Sequence, residues 1–210
     1  MKKVLYVILH GSIYKDRYHN IKDTWGKSKD CLFYSDYEDL DKNIVKVSDR
    51  TDYHSNEEKH INSLHYVSKN MKDYEWFFFC DDDTFVNTKK LESLLDTLDK
   101  KSVHGSLLEG TWSIDPTLNY CSGGAGYLIN SSLLSEIIEK VKVLNSGFSD
   151  VTLGLILRDL GVKSINYDFF KSQPPHHYGI SMYETHNYIT FHYIKDMGEM
   201  GALNQIISNN

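Results

Sequence analysis

Asp81, Asp82 and Asp83 stand in a row directly after Trp76-Phe77-Phe78-Phe79-Cys80. Adjacent carboxylates repel one another unless a cation joins them. Hard divalent cations such as Mn²⁺ or Mg²⁺ take oxygen ligands, commonly one or two carboxylates together with substrate phosphates. The apolar run suits a strand buried on both faces, and ligands of open α/β sheets bind beyond the carboxyl ends of strands. The triplet therefore predicts a metal-diphosphate site at the end of a central strand. An isolated Asp triplet would read as a solvated acidic turn, because Asp favours turns. The strand before it decides against that reading.

Other residues could share this chemistry. Arg17 suits bidentate contact with carboxylate or phosphate, although alone it reads as a surface residue. Asp36 ends a second strand-like run, Cys31-Leu32-Phe33-Tyr34-Ser35. Gly123, Gly124 and Gly126 remove side chains from one short segment and let a ligand approach the backbone. The segment lacks the GK[ST] ending of a phosphate-binding P-loop, and a bulge in a strand would also explain it. Asp150 has a strong local explanation as a helix N-cap. A helix N-terminus also favours its ionised form and so weakens it as a base. His176, His177, His186 and His192 gather near the end of the chain, and an imidazole can complete a Mn²⁺ shell begun by carboxylates.

Short elements must position these groups. Val4 to Leu9 reads as a first strand, with His10-Gly11-Ser12 as its turn. A helix over Tyr18 to Lys27, the strand at Cys31 and a weaker strand at Asn43 to Val47 follow. Ser55 and Glu58 have the spacing of a capping box. They open a helix whose apolar face is Ile61, Leu64, Val67 and Met71. After Asn87 comes a helix with Leu91, Leu94, Leu95 and Leu98, then strands within Val103 to Trp112. Asn130 or Ser131 caps a helix with Leu133, Leu134, Ile137, Ile138 and Val141 facing inward. The helix after Asp150 ends at Gly161, a natural C′ residue. Tyr188 to Ile194 alternates like a strand, and Asn204 to Asn210 reads as frayed. The order predicts one α/β domain over residues 1–210, with a mostly parallel sheet flanked by helices.

Composition narrows the function. The chain has 210 residues, of which 40% are hydrophobic and 25% charged, in the range of soluble globular proteins. Its net charge is −6 and it has no basic cluster, which argues against a nucleic-acid partner. The three cysteines form no CxxC pair and read as free buried thiols in a reducing compartment. The run after Met1-Lys2-Lys3 is too short for a membrane span and lacks a cleavage site. A cytoplasmic location is the expectation.

In combination and order, these segments resemble the Fringe and core-1 β1,3-galactosyltransferase group of inverting glycosyltransferases. Ile21-Lys22-Asp23-Thr24-Trp25-Gly26 resembles an I-R-x-T-W-G motif, and Trp76 to Asn87 a W-x-x-x-x-D-D-D-T-Y-V box. Tyr120 to Ile129 is similar to Y-x-S-G-G-A-G-Y, Asp150 to Gly154 to E-D-V-x-x-G, and Phe191 to Ile194 to F-H-Y-V. The resemblance implies the GT-A fold, a Rossmann-like nucleotide-sugar-binding architecture. It implies Mn²⁺, with Mg²⁺ as a substitute, held by Asp83 and His192, with Asp81 as a further ligand. His176 or His177 competes with His192, because Fringe-type members take their metal histidine from an earlier element. Arg17, Asp81, Asp82, Gly123 and Gly124 would serve the UDP-sugar, and Asp36 joins that set. Asp150 would be the catalytic base, here preceded by Ser149 where the family often has a carboxylate.

The expected activity is transfer of a hexose or N-acetylhexosamine from a UDP-sugar to a glycan, glycoprotein or glycolipid hydroxyl, forming a β1,3 linkage. Galactose is slightly favoured. The absence of an anchor suggests a minimal bacterial or viral member. One rival is a metal-dependent UDP-sugar or phosphoester hydrolase, although such sites usually hold two metals. The other is a non-catalytic, cation-dependent glycan-binding module.

Overall fold

The computed structural model describes residues 2–110 and 115–209. The chain begins with β1 (Lys2–Leu9), α1 (Arg17–Lys22), β2 (Cys31–Ser35) and β3 (Ile44–Lys46). It continues through α2 (Asn56–Asn70), β4 (Tyr74–Asp81), β5 (Phe85–Val86) and α3 (Thr88–Leu94). Then come β6 (Ser102–Gly105), β7 (Leu107–Glu109), β8 (Asn119–Cys121), β9 (Tyr127–Asn130) and α4 (Ser131–Ile137). The last elements are α5 (Ser149–Asp159), β10 (Lys163–Asn166), β11 (Phe170–Lys171), β12 (Thr190–Phe191) and α6 (Met197–Ser208).

A seven-stranded sheet has the order β10-β6-β9-β4-β1-β2-β3. β9 runs antiparallel to both neighbours, and the other pairings are parallel. Alternation along β4 explains its apolar run. Trp76, Phe78 and Cys80 enter the core on one face with Ile21 and Trp25, and with Met200 and Leu203 of α6. Phe77 and Phe79 enter the other core with Ile61, Leu64 and Val67 of α2 and with residues of α4 and α5. Helices thus cover both faces, as a largely parallel sheet requires.

β1 lies between β2 and β4. The chain runs from β1 to β2 through α1, whose Ile21 packs on one face, and from β3 to β4 through α2 on the other. Strand order therefore reverses at β1 and β4, and their carboxyl ends open the crevice where such sheets bind ligands.

Several local expectations change. Ser55 does not cap α2 through a box with Glu58: its hydroxyl donates to the Asp52 carbonyl at 2.5 Å, while Glu58 accepts from Ser48. The turn preceding α2 supplies those closer partners. The first helix stops at Lys22. Only Thr190 and Phe191 of the late alternating run are strand, because Tyr193 turns the chain into the left-handed region at φ 63°. The tail is helical through Ser208, held by buried Met200 and Leu203. β6 and β7 realise the strands expected after Val103, while Trp112 lies outside the described residues. Cys31, Cys80 and Cys121 are free and buried. No helix among the described residues is long and apolar enough to cross a membrane.

Candidate active site

The aspartate triplet sits where the switch in strand order places it. Asp81 ends β4, and a turn closed by the Thr84 N–H on the Asp81 carbonyl presents the next two carboxylates. Trp25 braces this turn, its indole donating to the Thr84 carbonyl at 3.1 Å. On the other side the Ile194 N–H donates to the Asp83 carbonyl at 2.8 Å. That bond fastens the late Phe191-His192-Tyr193-Ile194 segment to the triplet.

The fastening brings an imidazole to the carboxylates. His192 Nε2 lies 3.1 Å from Asp83 Oδ1 and 3.5 Å from Asp81 Oδ2. One donor atom each from Asp81, Asp83 and His192 can be chosen so that all lie within 4.8 Å of one another. Two carboxylate oxygens and one imidazole nitrogen form a donor set that suits Mn²⁺ or Mg²⁺. His176 and His177 are exposed in a short turn, meeting edge to face with ring centroids 4.7 Å apart, and are not members of this group. Burial by itself would lower the His192 pKa, but the Asp81 and Asp83 carboxylates override it and hold the ring at about 9. Asp83 is buried too, yet the same contact keeps its carboxyl below the usual range.

Asp82 points elsewhere. Its Oδ1 accepts from Arg17 at 2.8 Å and its Oδ2 from His10 Nδ1 at 2.8 Å. His10 Nε2 continues to the Tyr37 hydroxyl at 3.0 Å. Arg17 also reaches Asp83 at 3.4 Å and lies 4.1 Å from the Tyr14 ring centroid, a cation–π distance. Burial raises the Asp82 pKa despite these partners. Asp36, at the end of β2, accepts from the Ser12 N–H and from Lys59 Nζ, both at 3.1 Å. Its burial would raise the carboxyl, but Ser12 and Lys59 outweigh it and hold the pKa at about 2. Lys59 itself is buried, on α2.

Two cavities of about 200 and 640 Å³ adjoin at this point and share Tyr53, Asn56, Asp81, His192 and Tyr193. The smaller is lined by His10, Arg17, Lys59, Lys195 and the triplet. The larger holds Gly123, Gly124 and Asp150.

Asp150 is not an N-cap. Phe148 occupies that position, and Asp150 lies in the first turn of α5. Its Oδ2 accepts from the Gly123 N–H at 3.1 Å and its Oδ1 from the Val151 N–H at 2.9 Å. Burial raises its pKa, with the Asp81 charge acting in the same direction and the two N–H groups opposing it. The expected weakening by the helix terminus is therefore outweighed. Gly124 donates no bond to Asp150; its carbonyl accepts from Thr84, and a Cβ there would overlap the His192 ring.

Four participants have no signature in the sequence. His10 reads as part of a turn. Tyr37 and Lys59 carried no spacing signal. Glu57, in the first turn of α2, accepts from the N–H groups of Leu144, Asn145 and Gly147 and from the Thr152 hydroxyl. It thereby ties down the loop leading to Asp150. Acidic residues are common at helix starts, so no local signal marked it.

Comparisons with known proteins bear on the family and the fold. Among curated proteins, human chondroitin sulfate synthase 3 is 29% identical over 109 residues, covering 46% of this chain and 12% of its own length. Human chondroitin sulfate glucuronyltransferase is 36% identical over 66 residues, covering 31% of this chain and 8% of its own length. The chain thus spans about an eighth or less of these relatives. Among solved structures, a glycosyltransferase involved in glycosylation of the major capsid of PBCV-1 superposes with a TM-score of 0.56 at 12% identity. That match covers 97% of this chain and 99% of its own. The galactosyltransferase LgtC, solved with donor and acceptor sugar analogues, has a TM-score of 0.54 at 12% identity, covering 98% and 95%. These structures share the GT-A fold with this chain. The Fringe-like family model matches residues 10–207. With nearly the whole chain inside that match and the aspartate triplet at the sheet's switch point, the chain belongs to the Fringe-like family.

Proposed function

We propose that the chain is a divalent-cation-dependent inverting glycosyltransferase that moves a hexose or N-acetylhexosamine from a UDP-sugar to an acceptor hydroxyl. Galactose is the favoured donor sugar and β1,3 the favoured linkage. The observation that carries this reading is the Asp81–Asp83–His192 group at the boundary of two cavities, one where Arg17, Lys59 and Lys195 face the triplet and the other holding Asp150. When bound to that group, Mn²⁺ supplies Lewis-acid neutralisation of the leaving diphosphate.

The chain's own residues do the rest. Arg17 and Lys59 place positive charge along the smaller cavity, where a UDP diphosphate fits. Asp82 and Asp36 fix their directions, with His10 bracing Asp82 from the other side. Gly123 and Gly124 leave backbone exposed where the donor sugar enters the larger cavity. Asp150 takes the proton from the acceptor hydroxyl as it attacks the anomeric carbon. Its raised pKa makes it a better base than an ordinary carboxylate. Attack opposite the diphosphate needs one base and no covalent intermediate, and Asp150 is the carboxylate in the larger cavity that the Gly123 N–H orients.

The test is turnover of UDP-galactose, UDP-GlcNAc and UDP-GalNAc with Mn²⁺, with and without glycoside acceptors. Acceptor-dependent release of UDP and an inverted anomeric configuration by NMR are expected. Turnover indifferent to every acceptor would indicate a hydrolase instead.

A further inference from the structure

Phe148 is poorly placed for stability. It occupies the N-cap of α5, where Ser, Thr, Asp or Asn would accept a hydrogen bond from the helix, and its side chain makes no capping bond. Nor does its ring pack: it is 43% exposed and joins none of the apolar clusters among the described residues. A single exposed apolar residue is ordinary, but the backbone that carries this one is fastened at several points. Glu57 accepts from the N–H groups of Leu144, Asn145 and Gly147. Asn145 and Gly147 hold the left-handed region, at φ 58° and 85°. Ser146 Oγ accepts from the Phe148 N–H at 3.2 Å and lies 2.8 Å from the Phe148 carbonyl, which also accepts from the Thr152 N–H at 3.0 Å. A fastened loop thus presents a ring that neither caps nor packs.

That ring lines the larger cavity, two residues before Asp150 in the chain. Tyr53 and Tyr193 line it as well, but both also line the smaller cavity, and Tyr193 lies on the His192 ring with centroids 3.8 Å apart. Phe148 lines the larger cavity and not the smaller. The volume of about 640 Å³ lies within the range of small-molecule sites. An aromatic face is negative and attracts the polarised C–H bonds on the flat side of a pyranose, whose hydroxyls stay free at the edge. The amides of Asn56 and Gln173 line the same cavity and offer both donors and acceptors to such hydroxyls. A sugar held there lies beside the carboxylate that would take its proton.

Resting on the glycosyltransferase reading, we propose that Phe148 is the acceptor platform, its ring stacking on the C–H face of an acceptor pyranose. The acceptor is then recognised as a cyclic sugar, and an open-chain polyol with the same hydroxyls is not. Because the loop is fixed before the sugar arrives, little order has to be gained on binding.

The test uses protein saturated with Mn²⁺ and UDP, titrated calorimetrically with methyl β-galactoside, methyl β-glucoside, methyl β-N-acetylglucosaminide and glucitol. At least one glycoside should bind, glucitol should not, and NMR should show ring-current shifts on C–H protons of the bound sugar. Phe148→Leu and Phe148→Ala should each weaken that glycoside roughly tenfold and abolish the shifts, while Phe148→Tyr stays within about threefold of the parent. Mn²⁺-dependent UDP binding on the same samples reports that each variant is folded, and Phe148→Leu decides the matter if Phe148→Ala does not fold. Unchanged glycoside affinity in Phe148→Leu, or a loss that Phe148→Tyr shares, overturns the proposal. So does glucitol binding as well as the glycosides, or no glycoside binding to a protein that binds Mn²⁺ and UDP. Failure of the parent protein to bind UDP with Mn²⁺ overturns the transferase reading itself, and this proposal with it.

Discussion

The imidazole of His192 occupies the space that a side chain at Gly124 would fill. Every atom nearest to an ideal Cβ on Gly124 belongs to that ring, and the Gly124 carbonyl is fixed by the Thr84 hydroxyl at 2.6 Å. The glycine segment is thus the back wall against which the His192 ring is seated. Gly124→Ala should push the ring from Asp81 and Asp83 and weaken Mn²⁺-dependent UDP binding by about tenfold to a hundredfold, the usual effect of disturbing a ligand's support. Calorimetry with Mn²⁺ and UDP reads this directly, and an unchanged affinity would show that His192 does not serve the cation.

Asp150→Asn keeps the size of the side chain and removes its basicity. UDP binding should persist, because the smaller cavity is untouched, while transfer falls by at least about 10². Retained transfer would leave Asp150 a purely structural part of the α5 first turn.

Glu57 holds the loop before Asp150 from a different element, through three backbone N–H groups and the Thr152 hydroxyl. Glu57→Ala should destabilise the fold by about 2 kcal/mol, as loss of charge-assisted hydrogen bonds does. It should also lower the transfer rate through a loosened Asp150, with UDP affinity preserved. Denaturant unfolding and kcat read the two effects separately. A stability loss with no change in kcat would confine Glu57 to the scaffold.

His60 lies buried between the Tyr34 and Tyr127 hydroxyls, at 3.1 and 2.8 Å. Burial lowers its pKa to about 4 from an ordinary 6.5. The unfolded chain therefore binds a proton between pH 6.5 and 4 that the folded chain refuses, so stability falls as pH falls through that window. The loss attributable to His60 approaches about 3 kcal/mol near pH 4. His60→Gln should flatten this part of the pH–stability curve, measured by urea unfolding. An equally steep curve in the variant would assign the acid sensitivity to other groups.

What the sequence shows follows from how local each feature is. The β4 run announces a two-faced buried strand because its neighbours on both sides are satisfied by its own alternation. The triplet's position follows from that strand alone. Trp25, in an early motif, can be recognised by resemblance, but its bond to the Thr84 carbonyl is long-range and has no periodicity. His10, Glu57 and Lys59 fail to stand out for the same reason: their partners, Asp82, the loop before α5 and Asp36, are reached only through the tertiary fold. Asp150 shows the opposite error. Its neighbours permit an N-cap, and only the distant Gly123 N–H reveals that the carboxylate is directed across the cavity. The late segment reads as a continuous strand because alternation cannot register a single left-handed residue such as Tyr193.

That left-handed turn has a consequence for the nascent chain. During synthesis the first half emerges with Asp81 and Asp83 already encoded at the tip of β4, two carboxylates without their nitrogen donor. The imidazole arrives only when the late segment turns at Tyr193, latches Ile194 onto the Asp83 carbonyl and is clamped by α6. On the proposed reading, full cation affinity therefore belongs to the finished molecule, and cation uptake would serve as a timer for the last stage of folding, weakened in any chain that stops before His192.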